Sequence, residues 1–312
     1  MKKFLLQLIF LAAPLFLFSQ NPFIRHMYTA DPSGRVFNDT LFVYPSHDTD
    51  TATNFYMVDW HVFSTTDMKS WTDHGVALSL DDVDWASKNA WAPDCAYKNG
   101  KYYFYYPTDK DYIGVAVAER PTGPFHDPLG KPLISRQTPG VINNRDLIDP
   151  GVFIDDDGSA YLYFGQLVVN MVKLNDDMIS FEGPVHILEG VDDFFEAVWV
   201  HKYKNRYYIS YSGRGQILYA MSDSPYGPFE YKGVILDKVN SGTNHHSVVE
   251  YKGQWYLFYH NADLFLGSDP PEHEKRYRGF RRSICVDYLY YNEDGTIQQV
   301  IPTREGVKAV LE

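Results

Sequence analysis

Five ionisable residues recur at one place in a repeated unit: Asp31, Asp94, Asp149, Glu196 and His245. Each stands 9 to 12 positions ahead of an aromatic anchor: Phe42, Tyr103, Tyr161, Tyr208 and Tyr256 in turn. Carboxyls gathered at one centre can divide the work of an acid and a base. Glu196 lies in the run Phe194-Phe195-Glu196-Ala197-Val198-Trp199. Apolar neighbours of that kind disfavour the charged form, so the group can stay protonated near neutral pH and act as an acid. A second carboxylate in a wetter setting stays ionised and acts as a base. Two carboxyls with divergent pKa values are what hydrolysis of a glycosidic bond requires. A single such acid could equally cap a strand or pair with an arginine; three at the same repeat position favour chemistry. Proline follows both Asp31 and Asp149, which predicts extended backbone at each acid, at the start of a strand.

The elements that would position these residues are legible as repeats. Units beginning at Asn38, Lys98, Asp156, Lys204 and Lys252 each join a tight-turn signal to an aromatic-rich strand, the signature of a β-hairpin. The anchors are 61, 58, 47 and 48 residues apart, enough for one four-stranded blade each. The expected fold is all-β: a five-bladed β-propeller, with residues 21–312 as one catalytic domain. If each lead-in residue opens the innermost strand of its blade, all five point at one axis. Glu119 to Phe125 is echoed by Asp223 to Phe229, and both look like the bend into an outer strand. The polar insertion from Gly267 to Gly279 is expected to form a loop overhanging one rim. The tail from Tyr288 to Val300 reads as a further hairpin that completes a blade or closes the ring.

Composition narrows the partners. A net charge of −12 repels phosphate backbones, so nucleic acid is not expected as a partner. Aromatic residues are 16% of the chain, with 25 Tyr and 20 Phe, which suits stacked strands and also a sugar-binding surface. Cys95 and Cys285 are too few for a disulfide framework and read as buried thiols. Residues 1–20 hold two lysines and then an apolar run ending in Ser-Gln, which reads as a secretory signal peptide. The run is interrupted by Pro14 and is short for a membrane span, so the expected location is secreted or periplasmic, with no membrane span.

The segments Asp31-Pro32-Ser33, Trp91-Ala92-Pro93-Asp94, Ile148-Asp149-Pro150-Gly151, Phe195-Glu196-Ala197 and Asn244-His245-His246-Ser247 resemble, in order and spacing, the five blade signatures of glycoside hydrolase family 43. The resemblance covers about residues 22–312. It implies inverting hydrolysis of xylosides and arabinosides. By position it makes Asp31 the general base, Glu196 the general acid, and Asp149 the third acid that orients Glu196 and raises its pKa. It makes His245 an axial histidine beside a possible structural calcium, held through waters, or beside a water cluster. Arg282 resembles an arginine lining the sugar pocket, and Trp91 an aromatic wall of it, although Trp91 could equally be blade core. Arg281 and Arg282 alternate faces on a strand, and Arg282 is the one chosen. Asp94 shares the ring position and is expected to contact substrate, although the resemblance implies no chemical role for it. His246 should face away from the axis, and Asn244 stands where many relatives have glycine.

The expected function is therefore an exo-acting glycosidase that releases terminal xylose or arabinofuranose from plant cell-wall oligosaccharides. The alternatives are an arabinan-degrading member and a non-catalytic glycan-binding propeller.

Overall fold

The computed structural model describes residues 20–310 and resolves five antiparallel sheets. Blade I is β1 (Tyr28–Phe37), β2 (Thr40–Asp48), β3 (Asp59–Thr65) and β4 (Thr72–Ser79). Blade II is β5 (Asp94–Lys98), β6 (Lys101–Thr108), β7 (Tyr112–Ala118) and β8 (Ile134–Ser135). Blade III is β9 (Gly151–Ile154), β10 (Ala160–Phe164), β11 (Asn170–Leu174) and β12 (His186–Ile187). Blade IV is β13 (Glu196–Tyr203), β14 (Arg206–Gly213), β15 (Gln216–Ser222) and β16 (Glu230–Leu236). Blade V has three strands and not the four expected: β17 (His246–Tyr251), β18 (Gln254–Asn261) and β19 (Ser283–Leu289). The first strands touch in a closed ring, with β1 against β5 and β17, β9 against β5 and β13, and β13 against β17. The fold is a five-bladed β-propeller.

The repeated turn signals do what their chemistry predicts. Two-residue loops join the first two strands of blades I, II, IV and V, with positive φ at both positions: Asn38-Asp39, Asn99-Gly100, Lys204-Asn205 and Lys252-Gly253. That is the loop geometry whose twist matches the flanking strands. Blade III uses a longer turn, in which Asp155 N–H donates to Ser159 O and only Gly158 has positive φ.

The core lies between blades, which explains the aromatic runs. Successive residues of a strand point to opposite faces, and both faces of these second strands are covered. Tyr102, Phe104 and Tyr106 of β6 pack with Tyr44 and Trp60 of blade I. Tyr103 and Tyr105 of the same strand pack with Leu162 and Phe164 of blade III. Tyr161 and Tyr163 of β10 turn the other way, onto Ile209 and Tyr211 of blade IV. A strand buried on both faces carries no polar alternation. Cys95 and Cys285 are buried free thiols, as expected.

Chain ends close the ring. The segment before β1 and the start of β1 run along β19 and the residue before it, where Phe23 N–H donates to Ile284 O and Thr29 N–H to Arg282 O. The Asn21 amide pairs with the backbone of Val286 from both of its ends. The tail hairpin does not become a fourth strand of blade V. It crosses to blade IV, where Val300 N–H donates to Ile235 O and the Tyr208 hydroxyl donates to Gly295 O. Among the described residues the one α-helix is α1 (Asp263–Gly267), with 3-10 turns at Leu80–Asp82 and Lys275–Phe280. No described helix is long and apolar enough to cross a membrane. The proposed signal peptide lies, apart from Gln20, outside the described residues.

Candidate active site

A cavity of about 360 Å³ opens where the first strands begin, and all five blades line it. Asp31, Asp149, Glu196 and His245 are in its wall. Asp94 is not. Asp94 is 1% exposed and its two oxygens accept from Ser33, from both sides of the Arg35 guanidinium, and from the N–H groups of Cys95 and Val152. It ties β1, β5 and β9 together below the cavity, and no lone pair is left for a sugar. The expectation that it contacts substrate is corrected on that ground.

The backbone at the acids departs from the extended form that the following prolines predict. Asp31 has φ +51° and Asp149 has φ +55°, and Ala197, directly after Glu196, has φ +64°. The ladder of β1 is bulged between Ala30 and Ser33, and that of β13 between Glu196 and Trp199. Bulges re-aim side chains beside active sites. Left-handed non-glycine residues cost on the order of 1–3 kcal/mol each and persist where surrounding structure over-determines them. Here the over-determination is visible in the hydrogen bonds.

Asp31 is held from four sides. Arg282 Nη1 donates to Oδ1 at 2.8 Å and Ser46 Oγ donates to Oδ2 at 2.6 Å. The Asp31 N–H donates to His260 Nδ1 at 3.1 Å, and that same ring nitrogen lies 3.3 Å from Oδ1. Burial by itself raises the Asp31 pKa. The Arg282 guanidinium outweighs it and holds the carboxyl well below the usual range. Arg282 is in turn clamped by Asp48, with Nε and Nη2 each 2.9 Å from the carboxylate in a bidentate pair. Arg281 points away from the cavity, to Ala52 O and Glu274.

Glu196 has the opposite setting. Burial raises its pKa to about 7; a 2.8 Å hydrogen bond from Gln166 opposes this and the charge of Asp31 adds to it. Asp149 is pushed well above the carboxylate range, first by burial and then by the charges of Glu196 and Asp31. The two acids titrate as a pair. Asp149 Oδ2 also accepts the Ala197 N–H at 2.7 Å. His245 Nδ1 lies 3.6 Å from Asp31 and 3.8 Å from Asp149. Burial lowers its pKa to about 4, so the imidazole is neutral. His246 faces away, onto Ser210. One carboxyl held low and two pushed up thus face one cavity, an arrangement fitted to acid–base hydrolysis.

Phe55, Trp91 and Phe195 are the aromatic part of the remaining wall. Trp91 lines the cavity edge-on to Phe55, its indole N–H donating to Phe55 O at 2.8 Å, with the Lys110 ammonium over its ring. The 267–279 insertion contributes no lining residue. Most of it is exposed; Arg278 within it donates to Asn240 O, and Phe280, just past it, meets Phe55 at a ring separation of 4.7 Å.

Residues 19–297 match the profile of Glycosyl hydrolases family 43. This chain belongs to glycosyl hydrolase family 43. It is a glycoside hydrolase. A xylosidase/arabinosidase of Humicola insolens is 39% identical over 88% of this chain and 98% of its own length. A β-xylosidase/α-arabinofuranosidase from a compost microbial metagenome, solved with xylotriose in a calcium-free form, has a TM-score of 0.79 and 39% identity over 90% of this chain and 97% of its own. An α-L-arabinofuranosidase of Clostridium thermocellum has a TM-score of 0.77 and 44% identity over 90% and 96%.

Calcium, which the family resemblance implies beside His245, fits the residues here poorly. The ion prefers six to eight oxygen ligands. The nearest carboxylate oxygens to His245 are already engaged, Asp31 Oδ1 by Arg282 and Asp149 Oδ2 by the Ala197 N–H. An ion there would rest on one imidazole and water.

Gln166, Asp48 and His260 escaped the sequence reading, though a signal for them exists. They close second strands, four to six residues past the anchors Tyr161, Phe42 and Tyr256. In an antiparallel hairpin the end of the second strand lies beside the start of the first, as the pairing of Tyr28 with Asp48 shows. Polar residues at or just past the second strands of blades I, III and V therefore reach Asp31, Arg282 and Glu196.

Proposed function

We propose that this chain is an inverting, exo-acting hydrolase that releases terminal xylose or arabinofuranose from hemicellulose- or pectin-derived oligosaccharides. Asp31 is the general base, which takes a proton from the attacking water. Glu196 is the general acid, which protonates the departing oxygen. Asp149 positions Glu196 and sustains its proton, while Arg282 and Trp91 contact the sugar. The observation that carries this reading is the place of Glu196 between two cavities. The first holds Asp31 and Asp149; the second, of about 440 Å³, shares Glu196 and residues 242–244 and leads out past Phe194 and Arg214. A proton donor to a bridging oxygen must stand between the sugar that is cleaved off and the rest of the chain. The names of the relatives support the sugar class.

The leader sequence supports export to the periplasm or medium. Any calcium is structural, beside His245, and no step of the reaction passes through it. A time course on xylotetraose and on arabinose-substituted xylan tests the reading. Xylose or arabinose alone at the earliest points is expected; early mid-sized oligosaccharides would overturn exo action, and no hydrolysis of any glycoside would favour a binding propeller.

A further inference from the structure

Behind the strand that supports Asp31, blade I carries a group of histidines with no part in the reaction. His47 stands on β2 between Ser46 and Asp48. Those two neighbours face the active site and hold Asp31 and Arg282, while His47 faces the opposite side of the sheet. There it meets Asp59 and His61, two residues apart and so on the same face of β3. One donor atom from each of the three lies within 4.8 Å of the other two.

The tautomers are set by carboxylates. An ionised carboxylate only accepts, so His47 Nδ1–H donates to Asp59 at 2.6 Å and His61 Nδ1–H donates to Asp73 at 3.2 Å. His61 therefore keeps its Nε2 lone pair, while His47 Nδ1 and the Asp59 oxygen sit side by side, where a cation that displaces the shared proton can take both; the ring centroids are 5.0 Å apart. Asp73 is itself fixed by the Gly75 N–H and by His26. An imidazole whose second nitrogen is held by a carboxylate is the usual form of a metal-binding histidine. The side chains of His47, Asp59 and His61 are 22%, 19% and 12% exposed, so an ion can reach them and water can complete its shell.

We propose that His47, Asp59 and His61 form a second-face site for a borderline divalent cation of the zinc class, with Asp73 as the outer partner of His61. Two imidazoles and one carboxylate select zinc over calcium, because nitrogen donors suit the softer ion and calcium seeks oxygen. The ion would clamp β2 to β3 directly behind Ser46 and Asp48.

The test is calorimetric titration of chelator-stripped protein with ZnCl₂ and with CaCl₂ at about pH 8, where a divalent ion competes with few protons for free imidazole. One zinc per chain is expected at this site, with a rise in melting temperature that calcium does not give. His61→Ala should weaken zinc binding at least about tenfold, and Asp73→Asn by about 10–100-fold, the usual cost of losing an outer partner. His47→Gln serves as a second ligand variant, and circular dichroism verifies that each variant folds. His245→Ala should leave this binding event intact. Absence of saturable zinc binding, or zinc binding that survives His61→Ala and His47→Gln and vanishes in His245→Ala, would overturn the proposal.

Discussion

Asp149 Oδ2 accepts the main-chain N–H of Ala197 at 2.7 Å, which fixes the backbone directly after Glu196. The third acid thus reaches the second through a left-handed peptide. Removing it should disturb the position of Glu196 as well as its proton affinity.

Replacing Asp31 by Asn or Glu196 by Gln keeps the shape and removes the ionisable group. Each should lower kcat by about 10²–10⁴-fold, the usual contribution of a positioned acid or base. A substrate with a good leaving group should restore part of the activity of Glu196→Gln and none of that of Asp31→Asn. A loss below about tenfold would reject the residue's role.

The pH profile follows from opposite shifts. Asp31 is held low, so it is ionised throughout the neutral range. Glu196 is raised to about 7, so kcat/KM should fall as pH rises through that value and the acid loses its proton. Gln166→Leu removes the hydrogen bond that opposes the rise, and the alkaline limb should move to higher pH. The same shift has a stability consequence. The folded state holds the Glu196 proton more tightly than the unfolded chain, so stability is full below the unfolded pKa and is lost as pH rises through about 7. Thermal melts from acid to alkaline pH should show this decline, and Glu196→Gln should flatten it.

Arg282 joins two buried acids, Asp31 and Asp48. Arg282→Ala leaves both uncompensated and should cost about 3–5 kcal/mol in urea unfolding. Asp48→Asn keeps the volume but slackens the guanidinium, and so the base. Its kcat should fall about 10–10²-fold, since small misplacements of a catalytic group are costly, and its stability should fall by less than that of Arg282→Ala because Asp31 still faces the guanidinium. An unchanged kcat would show that Asp31 keeps its position without the Asp48 clamp.

Inverting pairs stand roughly 6.5–9.5 Å apart to admit a water. Proton NMR during the first minutes of hydrolysis should show the anomer opposite to that of the substrate. Appearance of the retained anomer would reject the base role of Asp31.

A chelator should lower activity by no more than about tenfold, because one imidazole and water make a weak calcium site. Complete loss that calcium alone restores would show a catalytic ion at His245.

The amino-acid sequence by itself determined the blade number, the order of the acids and their place at the cavity. Turn chemistry and aromatic anchoring are local and repeat along the chain, so Asn38-Asp39 and Lys252-Gly253 announce the same hairpin. The apolar run around Glu196 also announced a raised pKa, because neighbours in sequence stay neighbours in a strand. Only the tertiary structure decided which acids stay free. Asp94 and Asp31 have the same repeat position, yet Arg35 and the Val152 N–H saturate Asp94 while Asp31 remains in the cavity wall. It also decided the positive φ at Asp31 and Asp149, where hydrogen bonds, and at Asp31 a bulge, override the preference imposed by a following proline. Arg282 meets Asp31 across 251 positions, and Phe280 supports Phe55 from another blade. Such pairings are set by closing the ring, which brings blade V against blade I, and no local pattern in either segment encodes them.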